Sequence, residues 1–168
     1  MLTTPEIVDR DSLPYIALRR SVPMGAIGEI APATHDLVLD FVRDAGAEPG
    51  APFIKYNVID MEGLMELEFG VLLTDAIEPT GEFLVSELPA GRYATVTHTG
   101  SYDELYDVTS LLVGWAKERG VAWDSAPEGV GERFVSRVEL YLNDPADVAP
   151  EQLVTRLDFK VREASTSA

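Results

Sequence analysis

The sequence contains the same order of predicted elements twice, and this recurrence constrains the fold more than any other feature. In the first half, alternating apolar residues predict a strand in LPYIALRRS (13–21). The Pro- and Gly-rich segment 22–34 reads as a loop, and HDLVLDFVRDAG (35–46) has the spacing of an amphipathic helix. FIKYNVI (53–59) and LMELEFGVL (64–72) then predict the two strands of a hairpin.

The second half repeats that order. GRYATVTHT (91–99) predicts a strand, and SYDELYDVTSLLVGWAKER (101–119) predicts a helix that begins with a capping box. Segment 120–132 reads as a loop. RFVSRVELYLND (133–144) and LVTRLDFKV (153–161) predict two further strands. Each half is therefore expected to be a β-α-β-β unit.

Short echoes between the halves favour a duplication. DFVRDAG (40–46) is similar to GWAKERG (114–120), and ELEFGV (66–71) is similar to RLDFKV (156–161), in the same order. Two such units can pair edge to edge about a pseudo-two-fold axis. We predict an α+β fold in which an antiparallel sheet carries two helices, with a ligand cleft between the helices.

The domain boundaries follow from the same pattern. Residues 1–12 are expected to be a flexible lead-in, and residues 13–162 a single domain. Its first repeat spans about 13–73 and its second about 91–162. Residues 163–168 are expected to be a flexible tail.

The charge balance narrows the possible partners. The chain has 29 acidic and 13 basic residues, a net charge of −16, and the acids are spread along its length. Such a surface repels phosphate backbones, so direct nucleic-acid binding is not expected, and it attracts cationic ligands. Plain solubility is the alternative explanation for this charge. The acidic residues of segment 60–69 read as a solvated edge, although Glu66 and Glu68 share a strand face and one of them could add negative potential to the cleft.

Several classes of site have no support in the sequence. There is no cysteine, and neither histidine, His35 or His98, has a second ligand at metal-binding spacing. No glycine-rich phosphate loop follows a strand. We therefore expect no metal and no cofactor. No apolar run is long enough to span a bilayer, so no membrane association is expected and a cytoplasmic location is the simplest interpretation.

The strand 133–142 supplies the main candidate site residues. Glu139 and Tyr141 share one of its faces, and Val138 and Leu140 lie on the other. A carboxylate facing a cleft can hold a cationic ligand or act as an acid or base. Tyr56, in the corresponding strand of the first half, is a possible partner. The alternatives are a surface glutamate, or a glutamate paired with Arg137, and tyrosines that only pack.

The second predicted helix offers an aromatic wall. One stripe of this helix, which includes Trp115, is expected to face the sheet, whereas Tyr102 and Tyr106 form a neighbouring stripe that could line the cleft. Phe41 of the first helix and Trp123 of the following loop could contribute to the same wall. Ordinary core packing is the alternative for each of these residues.

Three segments in order carry a family resemblance. LPAGRYATVTHTGSYDEL (88–105), LLVGWAKERG (111–120) and VELYLNDPADVAPEQLVTRLDFKV (138–161) resemble the GyrI-like, or AraC-type effector-binding, small-molecule-binding family. The resemblance implies a duplicated β-α-β-β fold whose cleft has the glutamate of the Glu-x-Tyr strand at its bottom, here Glu139, with aromatic residues around it. Members include drug-sensing domains of transcription regulators, a gyrase-inhibiting protein and hydrolases that open electrophilic cyclopropane rings. No segment before residue 13 is long enough for a helix-turn-helix, so DNA binding is not implied.

Three functions stay open at this point. The chain could bind hydrophobic, aromatic, cationic small molecules through Glu139. It could be a hydrolase of strained or electrophilic compounds, with Glu139 as base and Tyr141 as acid. It could also be an acidic protein-interaction or inhibitor module. The sequence leaves the natural ligand and the oligomeric state open.

Overall fold

The computed structural model describes residues 1–163, so all of the predicted tail except Glu163 lies outside the described residues. The described chain contains two α-helices, α1 (Ile27–Asp44) and α2 (Leu105–Glu118). It also contains ten strands: β1 (Glu6–Arg10), β2 (Leu13–Pro23), β3 (Pro49–Ile59), β4 (Leu64–Leu73), β5 (Phe83–Leu88), β6 (Gly91–Thr99), β7 (Ser125–Glu128), β8 (Gly131–Phe134), β9 (Arg137–Tyr141) and β10 (Val154–Lys160).

The order of strands across the sheet shows the predicted duplication. It runs β1-β6-β10-β9-β3-β4-β2-β5, and every neighbouring pair is antiparallel. The halves meet where β9 pairs with β3, with Ile54 opposite Glu139 and Lys55 opposite Val138. The order β6-β10-β9 on one side mirrors β2-β4-β3 on the other. The predicted α+β fold, an antiparallel sheet with two helices, is thus confirmed.

The two halves exchange their first strands. β1 precedes the first repeat but pairs with β6 of the second, whereas β5 precedes the second repeat but pairs with β2 of the first. The prediction of a flexible lead-in is therefore wrong for Glu6–Arg10, which forms a ladder of five residue pairs with β6. Both strands are short edge strands, and short strands carry little periodicity of their own.

The first helix begins earlier than its sequence suggests. Segment 22–34, predicted as a loop, forms a 3-10 turn (Met24–Ala26) and then the first part of α1, with Pro32 inside the helix. Ile27 and Ile30 pack against the buried Phe69 cluster of the sheet. This apolar burial outweighs the poor helix propensity of the glycine and proline residues.

The strand predicted over 133–144 is divided in two. β8 ends at Phe134 and pairs with β7, a hairpin within the segment predicted to be a loop, whereas β9 begins at Arg137. β8 also pairs with the end of β3. The hairpin therefore extends the sheet beside β3 and turns the chain before the strand that carries Glu139.

The helices cover one face of the sheet. α1 packs on Ile16, Leu18 and Val71, and α2 packs on Val96 and Leu157. Leu157 lies directly opposite Glu139 in the β10–β9 ladder. Because directly opposed residues share a face, Glu139 lies on the helix-covered side, between the areas that the two helices occupy.

The opposite face of the sheet has its own buried core, which includes Tyr15, Phe53 and Val138. Glu68 lies on this face, only 2% exposed, with its carboxylate 3.6 Å from the Lys55 ammonium. The prediction of a solvated acidic edge is wrong for this residue. Its charge faces away from the helix side and is matched by a buried cation.

Candidate functional site

Glu139 lies at the centre of a cluster of aromatic hydrogen-bond donors. The Tyr56 hydroxyl donates to Glu139 Oε1 over 2.9 Å, and the Tyr141 hydroxyl donates to Oε2 over 3.0 Å. All three residues are partly buried. Strand β3 supplies Tyr56 and strand β9 supplies the other two, so the cluster spans the seam between the two repeats.

The environment favours the neutral form of each of these groups. Burial raises the pKa of the Glu139 carboxyl, and the hydrogen bonds from Tyr56 and Tyr141 together with the charge of Arg137 offset only part of that effect. Burial, followed by the nearby Glu139 charge, raises the pKa values of both tyrosines well above their usual value. The phenols therefore remain protonated donors, and the Glu139 carboxyl takes up a proton at a higher pH than an ordinary glutamate because its pKa is raised.

Two further rings contact Tyr141. Tyr102 meets it edge to face with ring centroids 5.4 Å apart, and His35 of α1 does so at 6.1 Å. His35 Nε2 lies 2.8 Å from the Phe53 carbonyl oxygen. Burial lowers the pKa of His35, so a neutral ring that donates from Nε2 to this carbonyl fits the site. Sequence reasoning missed His35 because a lone histidine at a predicted helix start carries no signal.

A 3-10 turn (Tyr102–Glu104) holds Tyr102 at the start of α2. Ser101 Oγ accepts a hydrogen bond from the Asp103 amide, as the predicted cap requires. Glu104, however, lies 2.8 Å from His98 Nε2 instead of completing a capping box. The turn is therefore tied to strand β6 through a side-chain pair.

Two predicted wall residues lie elsewhere. The Tyr106 side chain is 62% exposed on the outside of α2. Phe41 stacks on Phe83 of β5, with ring centroids 4.1 Å apart, beside the core between α1 and the sheet. Neither residue has a contact with the Glu139 cluster among the aromatic pairs of the described chain.

The two tryptophans also lie apart from Glu139. Both pack beside the core beneath α2. The Arg119 guanidinium lies 4.6 Å from the Trp115 ring, and Trp123 meets Phe159 edge to face at 5.6 Å. Of the aromatic residues proposed from sequence, the structure thus brings Tyr56, Tyr141 and Tyr102 to Glu139.

The early part of α1 adds an apolar wall that sequence reasoning also missed. Ile27 and Ile30 of α1, with Met24 of the preceding 3-10 turn, are partly buried against the same core cluster as Tyr56 and Tyr141. Their periodicity was hidden in a segment that the glycine and proline content marked as a loop. Apolar side chains next to an aromatic carboxylate cluster suit a hydrophobic ligand.

Two cavities of the described chain lie away from this cluster. A groove of about 390 Å³ is lined by residues that include Ile7, Arg92 and Val161, and a void of about 20 Å³ lies beside Asp158. At Glu139 the rings pack on one another.

The described residues, 1–163, bear on two other kinds of site, a metal centre and a membrane span. This part of the chain has no group of three or more His, Asp or Glu side chains placed to hold a metal ion. It also has no helix with the length and hydropathy needed to cross a bilayer.

Comparison with solved structures gives the fold. The EcmrR C-terminal domain is 18% identical with a TM-score of 0.72, and the match covers 96% of this chain and 98% of that one. The chain spans 58% of the longer EcmrR chain solved in a complex with DNA. SAV2435 bound to tetraphenylphosphonium is 12% identical with a TM-score of 0.65, over 95% and 94% of the two chains. A hydrolase from Listeria innocua is 11% identical with a TM-score of 0.61, over 94% and 91%.

Comparison with sequence families gives the assignment. No curated protein matches the sequence. The profile described as the GyrI-like small molecule binding domain matches residues 3–162, nearly the whole chain. The chain therefore belongs to the GyrI-like small molecule binding domain family.

Proposed function

We propose that the chain binds hydrophobic, aromatic organic cations at Glu139. The observation that carries this proposal is the partly buried carboxylate held by two tyrosine hydroxyls, Tyr56 and Tyr141, among aromatic rings. A desolvated carboxylate attracts a cation more strongly than one in water, and aromatic faces add cation–π attraction. The tetraphenylphosphonium bound to the structural neighbour SAV2435 is a compound of this class.

Ligand entry requires a local rearrangement. Tyr102 rests edge to face on Tyr141, whose hydroxyl contacts Glu139, and lies on a turn outside the regular part of α2. Rotation of the Tyr102 side chain exposes the Tyr141 ring and the carboxylate without disturbing the sheet. The apolar wall of Ile27 and Ile30 then contacts the hydrophobic part of the ligand.

The Glu139→Gln variant tests the proposal directly. We expect tetraphenylphosphonium, titrated by calorimetry, to bind the variant about 10–100-fold more weakly, because a charge-assisted contact of about 1–3 kcal/mol is lost. The matched control is Glu118→Gln, which removes the same charge from the exposed end of α2 and should change affinity less than twofold. Equal weakening by both variants would indicate a general surface-charge effect, and an unchanged Glu139→Gln would contradict the proposal and favour an interaction module.

Affinity should also depend on pH through Glu139. Because burial raises the pKa of this carboxyl, it becomes neutral at a higher pH than an ordinary glutamate. Tetraphenylphosphonium affinity is therefore expected to fall as the pH is lowered through that raised pKa, and to be flat above it. His35, which faces Tyr141 from α1, and Asp144, whose charge acts on Tyr102, are other titratable groups near the cluster. A pH dependence that persists in Glu139→Gln would assign the effect to such a neighbouring group and contradict this prediction.

Hydrolysis of an electrophilic ring is a second candidate, favoured by the contact of Glu139 with the Tyr141 hydroxyl. Glu139 would take a proton from water as the oxygen attacks a ring carbon. The broken carbon–carbon bond would leave its electron pair on the activated carbon, which Tyr141 would protonate. Mass spectrometry of an aryl cyclopropyl ketone incubated with the protein tests this step. Gain of one water with wild type but not with Glu139→Gln supports the enzyme, and recovery of unchanged ketone rejects it for this substrate class.

A further inference from the structure

Arg137 is a cation on the same strand face as Glu139, two positions earlier in β9. Its guanidinium lies between two aromatic rings, 4.8 Å from the Phe134 centroid and 4.4 Å from the Phe159 centroid. The side chain is partly buried. Stacking of this kind fixes the plane of the guanidinium and leaves its N–H edge available for hydrogen bonds.

Arg137 lacks an acidic partner in a chain that is rich in acids. Within residues 1–163, no carboxylate lies within ion-pair distance of its guanidinium and no side-chain hydrogen bond from it is formed. Other partly buried cations have such partners: Arg156 lies 3.0 Å from Asp158, and Lys160 lies 2.8 Å from Asp124. Burial lowers the pKa of Arg137, and the charges of Glu139 and Glu132 offset this only in part.

The position of Arg137 changes the charge that a ligand meets. Residues i and i+2 of a strand lie about 6.5–7 Å apart along one face, so the Glu139 carboxylate and the Arg137 guanidinium form a short dipole. A ligand that carries only a positive charge is attracted by the first group and repelled by the second. A ligand with a cationic end and an anionic end at a similar separation satisfies both.

We propose that Arg137 is a second ligand anchor, and that the site selects zwitterionic aromatic compounds whose cationic part contacts Glu139 and whose carboxylate or comparable oxyanion accepts hydrogen bonds from Arg137. This inference rests on the proposed function, because it places the ligand at Glu139. It goes beyond that function because it gives the ligand a second, negative charge and names Arg137 as the residue that binds it. Arg is well suited to this role since its planar fork donates two parallel hydrogen bonds to a carboxylate.

Two dyes that differ in one group provide the test. Rhodamine 123 is a methyl ester with a single positive charge, whereas rhodamine 110 is the corresponding acid and is zwitterionic at neutral pH. Fluorescence polarisation with wild type should show at least threefold tighter binding of rhodamine 110. Arg137→Gln should weaken rhodamine 110 at least tenfold, and should leave rhodamine 123 unchanged or bound a few-fold more tightly because a repulsive charge is gone.

Three further variants separate the roles. Arg137→Lys keeps the charge but loses the fork, so it should weaken rhodamine 110 to an intermediate degree. Arg92→Gln makes the same charge change at an exposed site of β6 and should alter neither dye. Glu139→Gln should weaken both dyes. Thermal unfolding of each variant shows whether the protein remains folded.

The outcomes distinguish this inference from the proposed function. If Glu139→Gln weakens both dyes but Arg137→Gln affects them equally, or affects neither, Arg137 only packs between the phenylalanines and the inference is overturned. The wild-type comparison alone overturns it if the ester binds as tightly as the acid. If neither dye binds, or Glu139→Gln leaves both affinities unchanged, the proposed function fails and the inference fails with it.

Discussion

Replacing Glu68 by leucine is expected to lower the free energy of unfolding by about 3–5 kcal/mol, the range found when one partner of a buried ion pair is removed. Glu68 is 2% exposed, and its carboxylate accepts hydrogen bonds from Tyr15 and Asn57. Lys55, itself 9% exposed, lies 3.6 Å away. Without the carboxylate, the ammonium of Lys55 stays in the core of the face opposite the helices with its charge uncompensated.

Two companion variants make this expectation specific. Glu66→Leu, two residues away, removes a carboxylate that pairs with Arg133 at the surface, so its effect on urea unfolding should stay below about 1 kcal/mol. The double variant Lys55→Met, Glu68→Leu removes both charges and should recover much of the lost stability. A double variant as unstable as Glu68→Leu alone would mean that the hydrogen bonds to Tyr15 and Asn57, rather than the ion pair, hold this face together.

The Glu68–Lys55 pair also predicts how the free energy of unfolding changes at acidic pH. Burial acts to raise the pKa of Glu68, but Lys55, Tyr15 and Asn57 together hold it below its usual value. A carboxyl whose folded pKa is depressed contributes stability above its unfolded pKa and loses that contribution as the pH falls through the folded value. Wild type should therefore lose stability at acidic pH more steeply than the double variant.

The sequence echo ELEFGV and RLDFKV marks equivalent positions in the two halves. Glu68 corresponds to Asp158, which is also buried and also lies on the face opposite the helices. Asp158 accepts hydrogen bonds from Thr95, Arg10 and Arg156. Each repeat thus buries one carboxylate with local cations. The echo could be predicted from sequence, but the burial could not, because most of the partners come from other strands.

The fold was predictable because its strongest signals are local. Strands β2, β4, β6 and β10 and helix α2 each have a clear apolar period. The elements that were not predicted have a weak apolar period or conflicting propensities. The early part of α1 contains Pro32, and β1 and β5 are short edge strands. Their placement depends on tertiary pairing, which a single stretch of sequence does not contain.

The site was predictable where the side-chain alternation of a strand decided it. Alternation placed Glu139 and Tyr141 on one face, and the structure brings them together with Tyr56. The prediction that Tyr106 shares a helical stripe with Tyr102 was wrong because Tyr102 lies in a 3-10 turn. Three residues rather than 3.6 complete such a turn, so side chains on either side of it do not follow α-helical spacing. Phe41 was misplaced because its partner belongs to β5, a strand that was not predicted.

The second large effect is expected for Leu112→Ala in α2. Leu112 is fully buried in the core beneath this helix, and truncation of such a leucine lowers stability by about 2–5 kcal/mol. Leu111 is its neighbour and is 45% exposed, so Leu111→Ala makes the same chemical change and should alter stability by less than about 0.5 kcal/mol. Urea unfolding of the two variants compares them directly.

The exchange of strands makes the Leu112→Ala result informative about the whole chain. β1 of the first half pairs with β6, and β9 of the second repeat pairs with β3 of the first, so unfolding of the second repeat also releases β1 and removes the strand that covers the β3 edge. Both tryptophans, Trp115 and Trp123, report on the second half, whereas far-ultraviolet circular dichroism reports on both. The two signals should shift together to lower urea in Leu112→Ala. If tryptophan fluorescence changed at lower urea than circular dichroism, the two repeats would unfold as separate cooperative units. A ligand bound at the seam between them would then stabilise both repeats together.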